Sequence, residues 1–195
     1  MLRKPRDIGS EILLGLREIK RGDFGRVIIV GNKEPRMAKE SRQKQFEQEF
    51  RRHIERHGPA LIKALGSITT AKPPPEIKML CFEIEPDWRE FPVHVFAMDD
   101  EAPNEVYFEQ PFSGGLLEDA GRLIPAGAIK QDAYEEAGVG TFESGAKVLA
   151  EWFGECWHAA GGASFPIPAY INLHDRSEYY ELRSRRWRAE SPWPS

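Results

Sequence analysis

Cysteine is scarce in this 195-residue chain: only Cys81 and Cys156 occur, 75 residues apart and each in an apolar stretch. So few, so far apart, they argue against a disulfide framework or a catalytic thiol, and two buried thiols in a reducing compartment are expected. No apolar run approaches the ~20 residues of a membrane span. The basic start, Met1 to Asp7, leads into an amphipathic segment with no signal-peptide core, so the expected location is the cytoplasm. No G-x-x-x-x-G-K-[ST] phosphate loop and no G-x-S-x-G elbow occurs, and no internal repeat or low-complexity tract is found. Basic residues are nearly missing from residues 76–143, where Lys78, Arg89, Arg122 and Lys130 face 16 Asp/Glu, a net of −12.

That deficit is balanced elsewhere. Residues 1–57 carry 15 Lys/Arg against 9 Asp/Glu, a net of +6, so the overall charge of −4 conceals two opposed regions. Charge of this kind speaks to partners and association rates, not to fold. A hydrophobic content of 41 % is too high for wholesale disorder and sufficient for a core.

The periodicity changes along the chain. A helix is expected over about 7–20, with Asp7 as cap, Ile8, Ile12, Leu16 and Ile19 as its apolar stripe and Gly22 as its stop. Val27 to Val30 reads as a short strand. Residues 38–57 form a polar helix whose apolar line is Phe46, Phe50 and Ile54, and Gly58-Pro59 separates it from a short helix, Ala60 to Leu65. The stiff Pro73-Pro74-Pro75 run marks the expected boundary between a basic, mostly helical segment, 1–75, and an acidic domain, 76–190. Beyond it, alternation predicts strands over 77–84 and 93–98 and near 106–108, in an antiparallel meander. A Gly/Pro-rich irregular stretch, 111–128, precedes a short helix near 129–137. The strongest helix runs from Thr141 to the Gly161-Gly162 stop, with Phe142, Ala146, Leu149, Phe153, Cys156 and Ala160 as its stripe, widened by Trp152 and Trp157. Residues 169–173 and 178–182 read as a final strand pair. The fold class is α+β: an antiparallel sheet packed against helices, preceded by a basic helical segment.

Several constellations invite chemistry. His53 and His57 share a helical face at i and i+4, but Glu55 points away and no third ligand is evident, so solvated histidines are the reading and no metal is assigned. Cys156 lies on the apolar stripe and His158 does not, so core packing is preferred to a Cys–His nucleophile. The His174-Asp175 dipeptide resembles one element of metal-dependent phosphohydrolases and is read as a turn between strands. Arg183-Ser184-Arg185-Arg186-Trp187-Arg188 suits either a nucleic-acid tail or a charged edge strand, and the edge strand is preferred. No catalytic residue and no cofactor is assigned.

Two stretches carry resemblances. Asp7 to Glu11, Gly15 to Gly22 and Gly25 to Val27 resemble the leader of small bacterial helix-turn-helix antitoxins, although no such motif follows. Residues 76–187 resemble acidic α+β immunity-type proteins of bacterial toxin–immunity loci, through the strand meander, Ala150 to Phe153, Cys156-Trp157, Gly161-Gly162, Pro168 to Tyr170 and His174-Asp175. The resemblance implies action by occlusion, without catalytic residues. Together with the charge, it yields an expected binding protein that neutralises a basic partner such as a nuclease-type toxin, with nucleic acid disfavoured and no membrane involved. Expected partner-facing residues are Asp87, Trp88, Asp99, Asp100, Glu101, Glu105, Tyr107 and Glu109, with Phe108 as a further aromatic anchor. The rival readings are a DNA-binding regulator using the basic N-terminal region and a small hydrolase built on His174, Asp175 and the carboxylates.

Overall fold

The computed structural model describes residues 36–85, 91–99, 105, 111–115, 128–174 and 176–189. The helix expected at 7–20 and the strands expected at 27–30 and 106–108 lie outside them.

Helix α1, Arg36–Ile54, is polar almost throughout, yet Phe46, Phe50 and Ile54 all have 0 % exposure. One apolar residue per turn is enough to seat a helix when its other faces are solvated, and i,i+4 pairs such as Gln43 to Glu47 (3.0 Å) and Arg51 to Glu55 (2.8 Å) support the outer face. A short 3-10 turn, Glu55–His57, leads directly into α2, Gly58–Thr70, with Pro59 in its first turn. This helix runs past the expected end at Leu65, because Ile68 continues the buried line of Leu61 and Leu65.

The sheet has six strands: β1 Met79–Ile84, β2 Val93–Met98, β3 Gly114–Gly115, β4 Ala169–Leu173, β5 Tyr179–Glu181 and β6 Arg186–Arg188, in the order β3-β2-β1-β4-β5-β6. Most pairings are antiparallel, including β1 with β2 from Met79↔Met98 to Ile84↔Val93. One pairing departs from the expected antiparallel sheet. β1 and β4 run parallel, Leu80 opposite Ala169 and Ile84 opposite Leu173. Between them come α3, Gln131–Glu136, and α4, Thr141–Ala159, and a long return of this kind brings β4 back alongside β1 in the same direction.

α4 is the hub of the helical layer. Phe153 and Trp157 meet Phe82 of β1 at ring separations of 4.9 and 5.6 Å. Gly145 lies beneath Phe50 of α1 and Phe91, and Leu149, Ala150 and Trp152 complete the same core. Thr141 opens α4 one position inside the cap, and its hydroxyl donates to Glu135 of α3 (2.7 Å) instead of capping the helix. At the other end Gly161, with φ of 89°, takes the left-handed conformation that stops the helix, and the Thr69 hydroxyl of α2 donates to the Ala160 carbonyl at 2.5 Å.

The boundary expected at the tri-proline run does not divide the core. Phe46, Phe50 and Ile54 of α1 and Leu61, Leu65 and Ile68 of α2 share one buried cluster with Leu80, Phe82 and Ile84, and every described residue falls in one compact unit, 35–195. The prolines connect a helix and a strand of the same core. A second, smaller cluster, Met79, Cys81 and Met98 with Phe96 and Tyr170, lies on the opposite face of the sheet.

The basic stretch forms the expected edge strand. β6 terminates the sheet with Arg186 and Arg188 exposed, and Trp187 turned inward against Tyr180 at 5.3 Å. The Ser184 hydroxyl and then Arg188 hold the Glu181 carboxyl below the usual carboxylate range, tying the β5–β6 turn together.

Candidate functional site

Of the eight expected partner-facing residues, two are described. Asp99 follows β2 and is half-exposed; Glu105 is exposed and forms an isolated antiparallel bridge with Met98, which brings the two together at the end of β2. Asp87, Trp88, Asp100, Glu101, Tyr107 and Glu109, with Phe108, lie outside the described residues. Nine carboxylates of the acidic segment are described: Glu76, Glu105, Asp132, Glu135, Glu136 and Glu143 are exposed, and Glu83, Glu85 and Asp99 are half-buried. None of the nine is buried, so the charge that these described carboxylates carry is presented at the surface.

Two histidine–carboxylate pairs meet at one end of the sheet. Glu83 of β1 contacts Nδ1 of His174, and Glu85 approaches His94 of β2 at 3.9 Å. Glu83 and His94 are cross-strand neighbours, and Asn172 flanks Glu83 from β4. No local motif announces this grouping, because its members are separated by up to 91 residues. Asp175 lies outside the described residues, so the His174-Asp175 dipeptide is placed only in part. Among the described residues no group of three or more His, Cys, Asp and Glu side chains is disposed to hold a metal ion, His53 and His57 included.

The thiols are poor nucleophiles. Burial, followed by the nearby Glu83, pushes Cys81 up to about 12, and burial with Glu155 pushes Cys156 up to about 11. His158 turns away from Cys156 to the Leu182 carbonyl, 2.8 Å from Nε2, so the core reading of that sequence triplet holds.

A cleft of about 330 Å³ opens between the first half of α4 and the β4–β5–β6 end of the sheet. Ala146 and Leu173 form its apolar floor and Trp187 one wall. Lys147 holds its ammonium 5.9 Å from the Trp187 ring centroid, and the indole N–H donates to Glu151 at 3.3 Å. Arg176 donates to Glu143 at 2.6 Å across the mouth, and Glu178 adds a second carboxylate. Sequence reading singled out Trp187 but did not join it to this lining, since four separate elements, α4, the end of β4, the β4–β5 turn and β6, supply the cleft. The available signal was the pair Lys147 and Glu151, four residues apart on the exposed side of α4.

Among the described residues no helix is long and apolar enough to cross a membrane. No family model, curated protein or solved structure matches this chain.

Proposed function

We propose that this chain is a non-catalytic binding protein of the immunity or antitoxin type, which captures a basic protein through its acidic segment and occludes the partner's working surface. The observation that carries the reading is the −12 charge of residues 76–143, with every described carboxylate of that segment at the surface. A protein that grips phosphate groups must be basic, and an acidic surface is drawn to that same region. Such complementarity accelerates encounter and selects partners, while exposed pairs weaken with salt. The thiols also support it, since both are held protonated in the core.

The test is association kinetics of the full chain with purified basic and acidic proteins of matched size, at low and high salt. Fast, salt-sensitive association confined to basic proteins is expected. Equal behaviour toward the acidic set would overturn the reading. The Glu83–His174 contact favours a second one, a histidine oriented by a carboxylate for proton transfer. His174→Ala would then abolish a hydrolytic turnover that the binding reading does not predict.

A further inference from the structure

The cleft beside Trp187 already holds two cations, both supplied by the chain itself. The Lys147 ammonium lies over the indole ring, and the Arg176 guanidinium bridges to Glu143. Both cations are loosely held. The Arg176 and Glu143 side chains are 56 % and 62 % exposed, and exposed pairs of this kind contribute little to stability. Lys147 is exposed on α4 and its flexible stem can swing into solvent. Glu178 at the cleft wall has no ion-pair partner among the described residues, and Glu151 sits beside the ring. An aromatic face flanked by three carboxylates, occupied by exchangeable internal cations, has the chemistry of a site for an incoming one.

We propose that this cleft accepts an arginine side chain of the basic partner, stacked on Trp187 in place of Lys147 and bridged to Glu143 in place of Arg176. A guanidinium suits the site better than an ammonium, because its plane stacks on an indole while its edge pairs with a carboxylate through two parallel hydrogen bonds. The apolar floor of Ala146 and Leu173 then receives the side chain's methylene stem. The inference rests on the binding reading above and adds a second contact, distant in sequence from Asp99, Asp100 and Glu101.

The experiment is a tryptophan-fluorescence titration of the full chain with blocked tri-arginine amide, using blocked tri-glutamate as the opposite-charge probe. A saturable response to tri-arginine is expected, and Trp187→Phe should remove it. Lys147→Met should tighten binding by about two- to fivefold, the scale of one exposed cation–π contact, and Glu143→Gln should weaken it. Absence of a saturable response in both wild type and Lys147→Met would overturn the proposal. Preferential binding of tri-glutamate would also overturn it, by making the site one for anions governed by Arg176 and Lys147. With a basic protein partner, unchanged affinity in Lys147→Met and Glu143→Gln alongside continued dependence on Asp99, Asp100 and Glu101 would overturn the cleft alone. Loss of both dependences would overturn the wider reading as well.

Discussion

Gly154 of α4 lies directly against the ring of Tyr180 in β5: a Cβ added at Gly154 would sit 2.8 Å from Cε1 of the tyrosine. Tyr180 is buried and wedged against Trp187, so its ring has little room to withdraw. Alanine is the better helix former by about 1 kcal/mol, so at an open site Gly154→Ala would stabilise the protein. Here overpacking outweighs propensity, and a net loss of about 1–2 kcal/mol is expected. Urea denaturation measures it, and a raised midpoint would show that the helix and sheet are not in this contact.

Phe153 sits one residue earlier, fully buried and 4.9 Å from Phe82. Phe153→Ala should cost about 3–5 kcal/mol, the usual range for emptying a large core site. A loss below about 1 kcal/mol would place this face of α4 outside the core.

A truncated chain of residues 76–190 should not fold. Without α1 and α2, the core loses Phe46, Phe50, Ile54, Leu61, Leu65 and Ile68, and α4 loses the Arg51–Glu155 ion pair that joins it to α1. Circular dichroism of this fragment should show no cooperative melt. A native-like cooperative transition would restore the boundary at the tri-proline run.

The thiols give a pH prediction. Both have folded-state values above the ordinary thiol value of about 8.5, because burial penalises the thiolate. Below that value both states hold the proton and stability is unaffected. As pH rises through it, the unfolded chain ionises first and binds fewer protons, so stability declines towards about 11 and 12, the folded values of Cys156 and Cys81. Native alkylation at pH ~8.5 should accordingly be far slower than in denaturant. Equal rates would show that the thiols are accessible.

What the sequence made legible was local. The four-residue spacing of Phe46, Phe50 and Ile54, the alternation of Leu80, Phe82 and Ile84, and the broad stripe through Trp152 and Trp157 all describe one element at a time, and each of these residues is buried as that reading requires. The tri-proline run misled because it signals stiffness, and stiffness joins two parts of a core as readily as it separates two domains. The parallel β1–β4 pairing brings Cys81 beside Tyr170, and no short-range pattern encodes such a register. The same limit hides the Glu83–His174 contact and the cleft, whose residues come from α4, the end of β4, the β4–β5 turn and β6. Charge segregation was legible without structure because it needs only counting.

The proposed meeting of the acidic segment with a basic partner is tested most directly at the three consecutive carboxylates Asp99, Asp100 and Glu101. The measurement is stopped-flow association of a purified basic partner with wild type and with Asp99→Asn/Asp100→Asn/Glu101→Gln, at low and high salt. The association rate of the variant at low salt should be about three- to tenfold lower, within the range of electrostatic steering. The difference should shrink as the screening length falls to ~8 Å near physiological ionic strength, and folding stability should change little. An unchanged association rate at low salt would contradict the claim.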